Sequence, residues 1–282
     1  MSAGTLFAVS DLHVTYPQNR RLADALQPRS DQDWLLVAGD VGELFDDVVD
    51  VLRMLSRRFA RVIWTPGNHE LWTHPQDPVT LRGEGRYRAL VAAVQEWGVL
   101  TPEDDYAVWP GPDGPLVIAP LFLLYDYTFR APGTRTKAES LRYAYQTGVV
   151  CSDEMMLHPD PYPSREAWCR ARLAATERRL QACDPGMRTV LVSHWPLVRQ
   201  PTAVLRHPEF AQWCGTERTA DWHVRFRAEV AVYGHLHIPR TTHYDGVRFE
   251  EVSLGYPREW LPRRGEHPTV LRTVLAAPEY AS

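Results

Sequence analysis

The chain has 282 residues, of which 44% are hydrophobic and 23% charged, the profile of a globular protein long enough to bury a substantial core. Its net charge of -4 provides no basic field, which excludes nucleic acid as a principal partner. The longest apolar run, Leu116 to Tyr125, is broken by Pro120 and reaches about half the length of a membrane span, so no membrane partner is expected. The N-terminal MSAGTLFAVSDLH has no basic region ahead of a long apolar stretch, and no signal peptide is read there. Cys151, Cys169, Cys183 and Cys214 form no C-x-x-C pair, which points to free thiols and a cytoplasmic protein. Lys137 is the only lysine. The positive charge is therefore almost all guanidinium, a compositional bias for most positions and a means of phosphate recognition for a few.

In chain order, Leu6-Phe7-Ala8-Val9 reads as a first strand, ended by Ser10-Asp11-Leu12-His13. Trp34 to Ala38 reads as a second, ended by Gly39-Asp40. Val48, Val51, Leu52 and Leu55 then recur at helical spacing, with Glu43, Asp46 and Asp47 at the start and Arg57 and Arg58 at the end, as the helix dipole favours. Val62-Ile63-Trp64 is a third strand, ended by Gly67-Asn68-His69-Glu70, and a second helix runs from Tyr87 to Trp97 with Gly98 after it. Leu116 to Leu124 holds a fourth strand.

From 128 to 160 periodicity is weak and Pro132, Gly133 and Pro159 intervene. This reads as irregular chain opening an insertion of about 128–185 that covers the site. A third helix is expected from about Arg165 to Cys183, with Ser164 as N-cap. Thr189 to Val192 is a fifth strand, ended by Ser193-His194, and Val230 to Tyr233 a sixth, ended by Gly234-His235-Leu236-His237. Asp245-Gly246 lies between 240–244 and 247–252 as a hairpin turn. The alternation predicts one α/β domain over 1–282, with added antiparallel strands near its end.

Each polar block sits just beyond a strand's carboxyl end, where open α/β sheets bind ligands, so the blocks are expected to converge. Asp and Asn offer oxygen and His offers nitrogen, with no thiolate, a mixture that suits catalytic Mn, Fe or Zn. Asp11, His13, Asp40, Asn68, His194, His235 and His237 are too many for one open site and fit two divalent ions sharing a carboxylate. Singly, each is more often a turn residue or an ordinary polar group; the ordered set carries the metal reading. Two close cations lower the pKa of a shared water, and the resulting hydroxide attacks phosphorus in line.

D-x-H, G-D, G-N-H-E, H and G-H-x-H, in this order from Asp11 to His237, resemble the calcineurin-like metallophosphoesterases. The resemblance implies a four-layer β-sandwich flanked by helices, with a lid-like insertion. It implies one ion held by Asp11, His13, Asp40 and His237, and a second held by Asp40, Asn68, His194 and His235, with Mn and Fe favoured and Zn the third candidate. It makes His69 a general acid or an oxyanion stabiliser. Glu70 is expected to orient His69 or a metal-bound histidine. Glu43 stands where many members carry Asp, and is expected at most behind the ligands.

A narrower likeness lies in Asp33-Trp34-Leu35, Gly67 to Trp72, Phe122 to Tyr127, Thr219 to His223, Tyr233 to Thr242, Gly246 to Ser253 and Gly255 to Trp260. These segments are similar to the phosphopantetheinyl hydrolases of actinobacteria, a branch that removes 4'-phosphopantetheine from the serine of holo acyl carrier proteins. An acidic carrier protein calls for arginines around the cleft, with Arg130, Arg135, Arg199, Arg240 and Arg258 as candidates. Tyr125, Tyr127, Trp195, Trp222 and Trp260 are candidates to line a pantetheine slot, although core filling is the simpler reading for most aromatics. Tyr125, Trp222, Arg240 and Arg258 are the substrate residues carried forward. The alternatives are a broader phosphatase or nucleotide phosphodiesterase and, in another class, a silent scaffold of the same fold, against which the complete donor set speaks.

Overall fold

The computed structural model describes residues 4–264 and 269–277. Its strands are β1 (Leu6–Val9), β2 (Trp34–Val37), β3 (Arg61–Trp64), β4 (Ala107–Trp109), β5 (Leu116–Leu121), β6 (Arg188–Ser193), β7 (Ala228–Tyr233), β8 (Arg240–Tyr244), β9 (Val247–Glu251) and β10 (Arg272–Leu275). Its helices are α1 (Pro17–Asp24), α2 (Phe45–Ser56), α3 (Gly83–Gln95), α4 (Lys137–Gln146), α5 (Asp153–Met156), α6 (Arg165–Gln181), α7 (Trp222–Arg225) and α8 (Pro257–Arg264). The strands form two sheets, in the orders β10-β1-β2-β3 and β4-β5-β6-β7-β9-β8. Neighbours β1, β2 and β3 run parallel, as do β5, β6, β7 and β9.

Successive side chains of a strand point to opposite faces, and here both faces are buried. Leu6, Ala8, Leu36 and Ile63 pack with Ile118, Val190, Val192, Val230 and Val232 in one apolar layer between the sheets. The alternate residues Phe7, Val9, Leu35, Val37, Val62 and Trp64 join a second cluster with the α2 residues Val48, Val51, Leu52 and Leu55. On the other sheet, Ala119, Leu121, Leu191 and Ala231 belong to that cluster together with Trp168, Cys169, Leu173 and Leu180 of α6. The result is helix, sheet, sheet, helix, the four layers that the family resemblance implies. The Asp245-Gly246 hairpin joins β8 and β9, with φ of 50° and 80° as a type I′ turn requires.

Several elements differ from expectation. β4 and β10 are edge strands, and the sequence reading passed over both. The stretch 128–160 is not irregular: it holds α4 and α5. Helix α4 buries only Ser140 and Ala144, so it has no apolar stripe to betray it. Its start is set by a capping box between Thr136 and Glu139, a local T-x-x-E signal. Ser164 caps α6 as expected, accepting from the Ala167 amide. Among the described residues, no helix is long and apolar enough to cross a membrane.

Candidate metal centre

The parallel strands β1, β2, β3, β6 and β7 deliver their polar blocks to one edge shared by both sheets. The sheets touch there through the bridge between Ser10 and Ser253. Asp11, His13, Asp40, His235 and His237 all have positive φ, between 42° and 70°. Such backbone is costly for residues with a Cβ and collects at functional sites. The chain turns sharply as it leaves three strands, and these turns bring the donors together.

Two groups result. In one, Asp11, His13 and His237 place ligand atoms within 4.8 Å of one another; in the other, Asp40, His194 and His235 do the same. His237 Nε2 is 3.0 Å from Asp11 Oδ1 and 3.3 Å from His13 Nε2. His194 Nε2 is 3.1 Å from His235 Nδ1, 3.1 Å from Asn68 Oδ1 and 3.3 Å from Asp40 Oδ2. Asp40 Oδ2 also lies 4.0 Å from His13 Nε2, so one carboxylate oxygen faces both groups.

The imidazoles are held to fit an ion. His194 Nδ1 donates to the Ala38 carbonyl at 2.9 Å, His237 Nδ1 meets Glu259 at 2.7 Å, and His13 Nδ1 meets Glu43 at 3.1 Å. In each case the outer nitrogen is tied and Nε2 is turned into the cluster, the pattern of metal-ligating histidines. Asn68 is fixed similarly: its Nδ2 donates to buried Asp153, which directs Oδ1 at His194. Nitrogens 3.1–3.3 Å apart are spaced like two ligands on one ion with bonds of about 2.0–2.1 Å. Burial opposes charge on His194, yet Asp40 and Asp11 raise its pKa to about 9. Burial likewise opposes charge on His237, but Asp11 and Glu259 raise it to about 10, whereas burial and His194 bring His235 down to about 3. The two buried aspartates thus make the cluster a sink for positive charge.

Other residues sit elsewhere than the sequence suggested. Glu70 does not orient a histidine. Its carboxylate accepts from the amides of Asp40, Val41 and Gly67 at 2.8–2.9 Å and so ties the β2 and β3 turns together. Burial, then the nearby Asp40, push its pKa up to about 7. Glu43 has the role expected of Glu70: its Oε1 meets His69 Nδ1 at 2.9 Å as well as His13. Burial works against the Glu43 charge, but these two histidines hold its carboxyl below the usual range. His69 packs its ring on Trp72 with centroids 3.6 Å apart, and its Nε2 is 3.9 Å from Asp40.

Tyr125 and Trp222 are fully buried core residues rather than slot linings. Tyr125 packs edge-on against Trp195, which in turn meets the His194 ring, while Trp222 packs edge-on against Phe226. Arg240 donates to the Pro201 carbonyl, and Arg199 to that of Arg130, beside a cavity of about 620 Å³ that includes Phe129, Thr202 and Ala211. Arg258 is exposed over the ring of Tyr256, at the rim of the centre. Sequence reasoning missed Asp153, Tyr256 and Glu259, whose partners lie up to 187 residues away in the chain. It also missed Arg206 and Arg263, which line a groove of about 830 Å³ along His237.

Glycine supplies room as well as turns. A Cβ on Gly234 would overlap Ser10 Oγ and Asp11 Oδ2, both buried. Gly234→Ala is therefore expected to displace Asp11 and to remove one ion per chain while the Asp40 group keeps the other. Elemental analysis of the purified variant checks this, and two ions retained would disprove it.

A two-sheet sandwich with this buried donor cluster at one edge defines a metal-dependent phosphoester hydrolase. Residues 4–239 match the calcineurin-like phosphoesterase family model, and the chain belongs to that family. The chain is 54% identical over 277 residues to the acyl-carrier-protein phosphodiesterase PptH of Mycobacterium tuberculosis, covering 98% of this chain and 85% of that protein. It is also similar to the crystal structure of phosphopantetheinyl hydrolase (PptH) from the same organism, with a TM-score of 0.94 at 54% identity over 100% of this chain and 99% of that one. The family fold implies divalent metal ions, and the two groups above are candidate ligand sets.

Proposed function

We propose that this protein cleaves the phosphodiester joining 4'-phosphopantetheine to the serine of a holo acyl carrier protein, in the cytoplasm. The observation that carries this reading is its similarity to the acyl-carrier-protein phosphodiesterase over nearly the whole chain, insertion included. The groove supports it. Val149, Val150, Leu205, Phe210, Leu236 and Ile238 give an apolar wall leading to His237, with Arg206 and Arg263 beside it. An extended, mostly apolar arm ending in a phosphate fits such a surface, and an acidic carrier would meet its arginines. The four unpaired cysteines support a reducing compartment.

In this reading one ion is held by Asp11, His13, Asp40 and His237 and the other by Asp40, Asn68, His194 and His235. The oxygen and nitrogen donors favour Mn and Fe, then Zn. Bound ions supply an acidified water and positive charge for the phosphoryl oxygens. The chain's part is to share Asp40 between the halves, to aim Asn68 through Asp153, and to present His69 Nε2. With Nδ1 tied to Glu43, His69 has Nε2 left to protonate the serine oxygen as it leaves phosphorus. The 128–185 segment, read as an insertion, reaches the centre through Asp153.

Incubation with a holo acyl carrier protein is expected to give the apo protein, lighter by one phosphopantetheine on intact-mass analysis. An unchanged carrier mass, under conditions where bis-p-nitrophenyl phosphate is hydrolysed, would rule out this substrate and leave a broader phosphodiesterase.

A further inference from the structure

Residues 253–260 cross the metal centre as a strap, and they lie beyond the family-wide stretch 4–239. The strap is pinned along its length. Leu254 and Gly255 donate backbone amides to Ser10 and Asp11 at 2.9 and 3.1 Å. Ser253 Oγ donates to Asp11 Oδ2 at 2.7 Å, and Trp260 Nε1 donates to buried Asn19 at 2.8 Å. The Tyr256 amide donates to Glu259, the carboxylate that holds His237. So fixed, Tyr256 stacks on His13 with centroids 4.5 Å apart and meets His237 edge-on at 4.8 Å. Its hydroxyl lies 3.4 Å from His69 Nε2.

His69 is thereby held on three sides: Glu43 at Nδ1, Trp72 on the ring face and Tyr256 at Nε2. We propose that Tyr256 is a positioning residue for His69, set in place by the strap, and that it governs how poor a leaving group the enzyme accepts. The inference rests on His69 acting as the proton donor. In the protonated imidazole Nε2–H donates to the Tyr256 oxygen, which keeps that proton at the mouth of the site. When the P–O bond breaks, its electron pair stays on the departing oxygen, which takes the Nε2 proton. A neutral imidazole remains, with Nδ1–H on Glu43. A good leaving group departs without this proton; an alkoxide does not.

The test uses Tyr256→Phe, which keeps the ring and its stacking, with a series of methyl aryl phosphodiesters of rising phenol pKa. Two ions per chain and an unchanged KM are expected. The kcat loss should be less than about twofold for the most acidic phenol and grow to about tenfold for the least acidic, the scale of one hydrogen bond. Added to His69→Ala, the change should cost nothing further, because coupled residues are not additive. A loss equal across the series, a loss of metal, or full additivity with His69→Ala would each overturn the role of Tyr256. If His69→Ala itself shows no dependence on the leaving group, the proton-donor reading fails first and takes this proposal with it.

Discussion

Asp40→Asn is expected to strip both ions from the protein and to lower turnover by more than about 10²-fold, since removing even an outer partner of a ligand costs 10–100-fold. Asp40 Oδ2 is 3.3 Å from His194 Nε2 in one group and 4.0 Å from His13 Nε2 in the other. No other carboxylate among the described residues is placed in this way between them. Asparagine keeps the shape and removes the negative charge. Burial disfavours that charge, yet His194 and His69 beside it hold the Asp40 carboxyl well below its usual range. The protein therefore maintains a buried anion at this position, the one that the proposed function shares between two cations. Elemental analysis and hydrolysis of bis-p-nitrophenyl phosphate, on the same preparation, check the expectation. A variant that keeps two ions and its rate would disprove the sharing of Asp40.

His69→Ala is expected to do the opposite: both ions stay and rate is lost. The loss should be about 10²–10⁴-fold for alkyl phosphodiesters, the usual contribution of a general acid, and much smaller for nitrophenyl esters. The reason is again placement. His69 belongs to neither group that contains an aspartate, and its one strong polar partner is Glu43. Glu43 retains His13 when His69 is gone, so the ligand His13 should keep its orientation. Equal losses on alkyl and nitrophenyl esters would argue against proton donation. Loss of an ion would instead make His69 a ligand through the group formed by His13, Glu43 and His69.

The legible part of the centre was the part written next to strands. Each donor block follows a short apolar run within a few residues, and a parallel strand must deliver its carboxyl end to the same edge as its neighbours. That local rule is enough to bring seven candidate donors to one edge of the sheets. It is also enough to expect the α/β layers, because β1 and β2 are unbroken apolar runs too short for helices. Helix α4 was lost because its signal is a cap and not a stripe.

The supporting residues obeyed no such rule. Glu43 and Glu70 are both acidic residues a few positions after a glycine, and the sequence reading gave the histidine-orienting role to the wrong one. Only the closing of the β2 turn on the β3 turn decides that Glu70 faces three backbone amides and Glu43 faces two imidazoles. Tyr125 and Trp222 resembled a substrate slot, but apolar area drives aromatics into whatever core the fold offers, and they are buried there. Asp153, Tyr256 and Glu259 reach the centre from the insertion and from the strap. By itself the sequence determined the candidate donors and the strand ends that carry them, because strand and turn are local and the blocks are adjacent to them. The tertiary structure alone decided which side chains hold those donors in place, because such contacts join residues tens to hundreds of positions apart, and no spacing in the chain records them.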